Sequence, residues 1–176
     1  MLLEKITKND IDTDKKPKIY FTCHPDDFEM CFDKICEDIF RTHDCVIFYK
    51  KDMSAAVPEE DKELDLARNN LFVIPVTERL LTTDNCTISQ ELPYAIRKGI
   101  PVLPILMEEV SDELYSVPEN FGDLQYLNAV VKDDTAIAYE EKLKKYLESI
   151  LINSELADRI RAAFDAYIFL SYRKMD

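Results

Sequence analysis

Five runs of apolar residues recur along the chain, each bounded by charged or turn-forming residues. They are KIYFTC (18–23), DCVIFYK (44–50), NLFVIPV (70–76), IPVLPIL (100–106) and the weaker QYLNAVV (125–131). Unbroken apolar runs of this length are typical of strands that are buried on both faces of a parallel sheet. The pattern therefore predicts about five parallel strands.

The segments between these runs carry apolar residues at the spacing of helices. Predicted helices follow Pro25, follow Pro58, span 89–99 with Gly99 as the C-terminal cap, and span 135–152. Strands that alternate with helices predict an α/β fold, here a flavodoxin-like doubly wound sheet with helices on both faces. Residues 1–16 are predicted to be a flexible arm, and the TERLLTTDNCT segment an irregular connection.

In a doubly wound sheet, ligands bind beyond the carboxyl ends of the strands, at the point where the strand order reverses. The segments expected at that edge are 21–27, 49–56, 77–91 and 106–109. Residues that bind or react with a ligand are therefore expected in those four segments.

Charge limits the class of partner. The chain has 35 acidic and 22 basic residues and a net charge of −13, which repels nucleic acid and anionic lipid, so neither is an expected partner. No apolar stretch approaches the length of a membrane span. The five cysteines form no C-x-x-C pair, which favours buried free thiols in a reducing compartment and predicts a cytoplasmic protein.

The last residues repeat the pattern of the first strand. FDAYIFLSYRKMD (164–176) aligns Ser171 with Thr22, and in both segments an aspartate follows five residues later. A repeat at the spacing of one domain suggests tandem copies of one fold.

FDAYIFLSYRKMD strongly resembles the opening box of Toll/interleukin-1 receptor (TIR) domains, and the preceding chain resembles a more divergent TIR domain. YFTCHPDD (20–27) stands in the first box, 50–57 stands where the family has its BB loop, and 64–106 follows the family from third to fourth strand. The domains predicted on this basis are a TIR-like domain at 17–152, a helical linker at 153–163, and the first strand of a second copy at 164–176.

The resemblance implies a function and a site. Many TIR domains cleave the nicotinamide–ribose bond of NAD⁺ with one glutamate near the start of the third helix, a position that Glu91 occupies here. The implied substrate-binding residues are Phe21, Thr22, Lys50 and Lys51. NAD⁺ would be a substrate, and no cofactor or metal is implied. Pro93 places Glu91 in the first turn of its helix, at the carboxyl edge of the sheet.

The residues leave a second function open. A glutamate at a helix start also compensates the helix dipole, with Ser89 as a plausible N-cap. The first box has Thr22-Cys23-His24 where active relatives keep Ser-Tyr-Arg-like residues. The chain is therefore either a TIR domain of a bacterial signalling or defence protein that cleaves NAD⁺, or a non-catalytic TIR-like module. Such a module would assemble with itself or regulate an adjacent TIR domain.

Two other chemistries fit less well. Asp26 and Asp27 after the first strand suggest a phosphate-accepting receiver domain, but the third strand ends at Val76-Thr77 without the aspartate that this chemistry needs. The two acids are therefore interpreted as helix-start residues. Cys23 and His24 are neighbours in an extended segment, so their side chains are expected on opposite faces rather than as a nucleophile and base.

Overall fold

A mostly parallel β-sheet runs through the residues that this computed structural model describes, which are 3–10, 12–110, 127–129, 139 and 141–151. The strands are β1 (Leu3–Thr7), β2 (Lys18–Phe21), β3 (Val46–Lys50), β4 (Leu71–Val76), β5 (Val102–Leu106) and β6 (Leu127–Asn128). Their order across the sheet is β1-β3-β2-β4-β5-β6. The five strands β2 to β6 pair in parallel, and β1 pairs antiparallel with β3.

Helices connect these strands. They are α1 (Phe28–Thr42), α2 (Glu59–Asp61, continued by a π turn at Lys62–Leu66), α3 (Glu78–Thr82), α4 (Leu92–Lys98, preceded by a π turn at Thr87–Glu91) and α5 (141–151). The chain is thus a mixed α/β fold, as the apolar runs predict.

The sheet separates two apolar cores. Along β2, Ile19 and Phe21 belong to one core and Tyr20 belongs to the other, which is the alternation that a strand buried on both faces requires. The first core includes buried side chains of α1 and α5, and the second includes buried side chains of α4 and of the turn that continues α2. Side chains of β2 and β3 at the second core can therefore meet the segment that leads into α4.

Two predictions about local structure are wrong. Residues 1–16 were expected to be an irregular arm, but Leu3–Thr7 form β1 and pair with β3. This strand covers the β3 edge, a tertiary interaction that its charged sequence does not reveal. The connection after β4 contains α3, in which Thr77 caps the helix by accepting a 3.1 Å hydrogen bond from the Leu80 amide. A five-residue helix is too short to show periodicity.

The predicted linker at 153–163 and the predicted strand of a second copy at 164–176 lie outside the described residues. The weak strand at 125–131 is described only as Leu127–Asn128, and the helix at 135–152 is described at 139 and 141–151.

The C-terminal cap of α4 provides a direct test of the fold. Gly99 has φ 66° and ψ 25°, the left-handed conformation, and an added Cβ would meet nothing within 4 Å. The cost of Gly99→Ala is therefore conformational, and we expect a loss of about 1 kcal/mol in the free energy of unfolding, measured by urea denaturation. Gly99→Asn is the matched control and should lose less, because asparagine tolerates this conformation. Equal losses for both variants would contradict this explanation.

Candidate functional site

Glu91 lies at the junction of the π turn and α4. The Leu92 amide donates to the Thr87 carbonyl, five residues back, and Pro93 follows within the first turn of α4. The helical segment therefore begins before Ser89, whose hydroxyl donates to the Asn85 carbonyl instead of capping a helix. The turn directs Thr87 and Glu91 together toward the sheet, where they are 1% and 0% exposed.

Both oxygens of the Glu91 carboxylate contact side chains from neighbouring strand ends. Lys50 Nζ, at the end of β3, lies 2.5 Å from Oε1, and this contact is an ion pair rather than a hydrogen bond of good angle. The Thr22 hydroxyl, just beyond β2, donates to Oε2. Lys50 is itself only 2% exposed, so the pair is removed from water and its charges are compensated by each other.

Lys50 also ties down the loop that follows β3. Its ammonium group donates to the carbonyls of Met53 at 3.1 Å and Ala55 at 2.8 Å. The Cys86 thiol donates to the Ser54 carbonyl at 3.3 Å. These bonds attach the loop at 51–57 to the Lys50–Glu91 pair and to the segment that leads into Glu91.

Two hydroxyl groups link the pair to the end of β2. The hydroxyl oxygens of Thr22 and Thr87 are 2.8 Å apart, and Thr87 Oγ1 lies 2.9 Å from the Cys23 carbonyl oxygen. Thr87 lies in the π turn that precedes α4. In this chain it supplies a small polar group that fits between β2 and the Glu91 turn.

Burial also changes the pKa values of neighbouring side chains. Burial, followed by the negative charge of Glu91, raises the pKa of Tyr20 well above its ordinary value. Burial likewise raises the pKa of the Cys23 thiol far above its ordinary value, so this thiol stays protonated and is unsuited to act as a nucleophile. His24 accepts a 3.2 Å hydrogen bond from the Asp26 amide, a structural role.

The structure brings together three of the five predicted site residues. Thr22, Lys50 and Glu91 are in contact. Phe21 is not part of this group, because it is fully buried in the other core with its ring centroid 5.1 Å from that of Phe32. Lys51 is exposed and, among the described residues, forms no ion pair with Glu91; it lines a cavity of about 360 Å³ that Lys50 also lines but Glu91 does not.

A second polar group at the same edge of the sheet was not expected from sequence. Asp27 is buried and accepts a 2.6 Å hydrogen bond from the Thr77 hydroxyl and a 3.1 Å bond from Arg79. Asp27 stands at the N-terminal end of α1, as the helix-start interpretation predicts, but its side chain makes no capping bond to that helix. It joins the end of β2 to the end of β4, two segments that lie 50 residues apart.

The arrangement limits what Glu91 can do chemically. A carboxylate with no exposed surface and both oxygens engaged cannot contact a substrate while Lys50 and the loop at 51–57 stay in place. Among the described residues, no group of three or more His, Cys, Asp or Glu side chains is placed to hold a metal ion. Within the same residues, no helix is long and apolar enough to cross a membrane.

A scan against models of known protein families gives no match, and no curated protein matches the chain.

The buried pair should make a large contribution to stability. Glu91→Gln or Lys50→Met leaves one polar or charged partner buried and uncompensated, and we expect each to lower the free energy of unfolding by about 3–5 kcal/mol. The double variant Lys50→Met/Glu91→Gln removes both charges and should lose less than the sum of the single losses. Urea denaturation of all four proteins measures this coupling.

Glu37→Gln is the matched control for this cycle. Glu37 pairs with Arg41 at 3.7 Å on α1, with both side chains more than half exposed, and its loss should cost at most about 0.5 kcal/mol. Additive losses at Lys50 and Glu91, or a Glu91→Gln cost as small as the control, would show that the pair does not hold the site.

Proposed function

We propose that this chain is a TIR-type domain of a signalling or defence protein in which Glu91 has a structural role. In this account the domain is a non-catalytic module that assembles with itself or regulates an adjacent TIR domain, in the cytoplasm. The adjacent copy is the one expected from the sequence of 164–176. The resemblance of YFTCHPDD and of 64–106 to TIR domains supports the family assignment.

The burial of Glu91 is the observation that carries this proposal. A catalytic carboxylate must reach the sugar of its substrate, and Glu91 has no exposed surface. Its oxygens instead compensate the Lys50 charge and accept from Thr22, so that strand, loop and helix are held together by one carboxylate. The loss of Ser-Tyr-Arg-like residues from the first box is consistent with a copy that no longer needs substrate contacts.

The assignment of the sheet as flavodoxin-like is part of the same proposal. When only the five parallel strands are counted in chain order, they stand in the order second, first, third, fourth and fifth across the sheet. This order supports a flavodoxin-like doubly wound sheet, the architecture expected of a TIR domain. The point where the order reverses lies between β2 and β4.

A second candidate function, cleavage of NAD⁺, is favoured by the convergence of Thr22, Lys50 and Glu91 beyond the ends of β2 and β3. A carboxylate there could stabilise the positive charge that develops on the ribose as nicotinamide leaves. In this alternative the loop at 51–57 would have to move, so that Glu91 gains access to the cavity beside Lys50 and Lys51.

Nicotinamide release from NAD⁺ separates the two candidates. The purified chain is incubated with NAD⁺ over a range of protein concentrations, and nicotinamide is measured by chromatography beside Glu91→Gln. We expect no release that depends on Glu91, because the carboxylate is inaccessible. Light scattering of the same samples should show a mass that increases with protein concentration.

A rate of release that falls by about 100-fold in Glu91→Gln would contradict the structural role and establish the enzyme. The variant is assayed at a temperature below the midpoint of its thermal unfolding, so that loss of the fold is not mistaken for loss of catalysis. Thr22→Val provides a second variant, because it removes the hydroxyl that donates to Glu91 but keeps the carboxylate.

A further inference from the structure

A cavity of about 320 Å³ lies beside β1, β2 and β3, and its lining includes none of Thr22, Lys50 and Glu91. Its walls come from β1, from the first residues of β2 and β3, and from the turn at 62–69. The first residues of β2 and β3 mark the amino ends of these parallel strands. The volume is at the small end of the range for ligand sites.

Three cations line this cavity in a protein whose net charge is −13. Lys5, Lys18 and Arg68 face it from three different segments. Within the part of the chain that the structure describes, none of the three forms an ion pair with a carboxylate. Lys18 is half-buried, and Lys5 and Arg68 are exposed. Cationic side chains without carboxylate partners at one cavity can attract an anion, even though the protein as a whole is acidic.

Apolar side chains form another part of the wall. Leu3 and Phe48 line the cavity together with Leu64, which is 55% exposed. Leu64 and Met30 are the large hydrophobic residues that the described part of the chain exposes. A planar, partly apolar ring would cover Leu64 and contact Phe48.

The side-chain oxygen of Asn69 is a buried hydrogen-bond acceptor without a partner among the described residues. The Asn69 amide nitrogen donates to the carbonyls of Asp65 and Leu66 at 2.8 and 3.1 Å, which fixes the orientation of the amide. Its Oδ1 is buried and accepts no hydrogen bond from any described residue. Asn69 is 6% exposed and lines the cavity. Because Oδ1 itself has no exposed surface, a ligand N–H group would satisfy this costly buried acceptor once the turn at 62–69 shifts to expose it.

We propose that this cavity binds a nucleoside monophosphate with an amino-bearing base. The phosphate pairs with Lys5, Lys18 and Arg68, which provide donors suited to phosphate oxygens. The base lies against the apolar wall and donates to Asn69. Asp14 and Asp65, which also line the cavity, accept hydrogen bonds from the ribose hydroxyls. The site is separate from Glu91 and does not depend on the function proposed for it.

Titration of the full chain with AMP tests this site. Binding is followed by calorimetry and by the NMR signals of the leucine methyl groups, and we expect AMP to shift the signals of Leu3 and Leu64. Adenosine and inorganic phosphate each supply part of the ligand and should bind more weakly than AMP. Purine riboside monophosphate lacks the amino group and should also bind more weakly.

Arg68→Gln should weaken AMP binding by about fivefold or more, because it removes a charge-assisted contact to phosphate. Arg97→Gln is the matched control: Arg97 is exposed, does not line the cavity, and undergoes the same change of charge. Its effect should stay within about twofold, as expected for distant screened charge.

Three results would overturn the proposal. The first is the absence of AMP binding at millimolar concentration. The second is inorganic phosphate that binds as tightly as AMP, which would indicate an anion site without a nucleotide. The third is an equal effect of Arg68→Gln and Arg97→Gln, which would show that overall charge controls the affinity.

Discussion

The ion pair between Lys50 and Glu91 is the interaction on which the arrangement of the carboxyl edge of the sheet depends. Both side chains are almost fully buried, and desolvation of two such charges is costly unless each finds its partner. The pair is therefore formed only when the end of β3 and the turn before α4 are correctly placed. Lys50 also donates to the loop at 51–57, and Thr22 brings in the end of β2. Three segments that are distant in sequence are held together at this point: the end of β2, the end of β3 with the loop that follows it, and the turn before α4.

Thr22, Lys50 and Glu91 could serve either catalysis or structure, and the exposure of Glu91 to solvent decides between these two roles. A hydroxyl, a lysine and a glutamate beyond the ends of parallel strands are suitable for binding and cleaving a nucleotide. Here these three side chains bind one another instead of a ligand. The buried Asp27 likewise accepts hydrogen bonds from Thr77 and Arg79 beyond the end of β4. We interpret this edge as a stabilised core region, and the cation-lined cavity at the other end of the strands as the place where a small anion can enter.

Most of the sheet could be predicted, because strands buried on both faces give unbroken apolar runs. β1 could not, since its pairing with β3 depends on a tertiary edge and not on its own composition. For the site, Pro93 predicted that Glu91 lies in the first turn of a helix, but the helical run begins earlier, before Ser89. The burial of Glu91 depends on Lys50, which is 41 residues earlier in the chain. The error at Phe21 had a signal: Phe21 and Thr22 are neighbours in an extended segment, so only one of them could face Glu91.

Hydrogen exchange in the native state tests the central claim most directly. If the buried pair holds the edge together, Lys50→Met should increase amide exchange within 51–57 and 87–91. The increase there should exceed the one that the loss of global stability causes in α1, which packs in the other core. Glu37→Gln, which alters an exposed pair, should leave all of these rates unchanged. Unchanged protection at 51–57 and 87–91 in Lys50→Met would contradict the account. So would a uniform increase across the whole chain without a local effect.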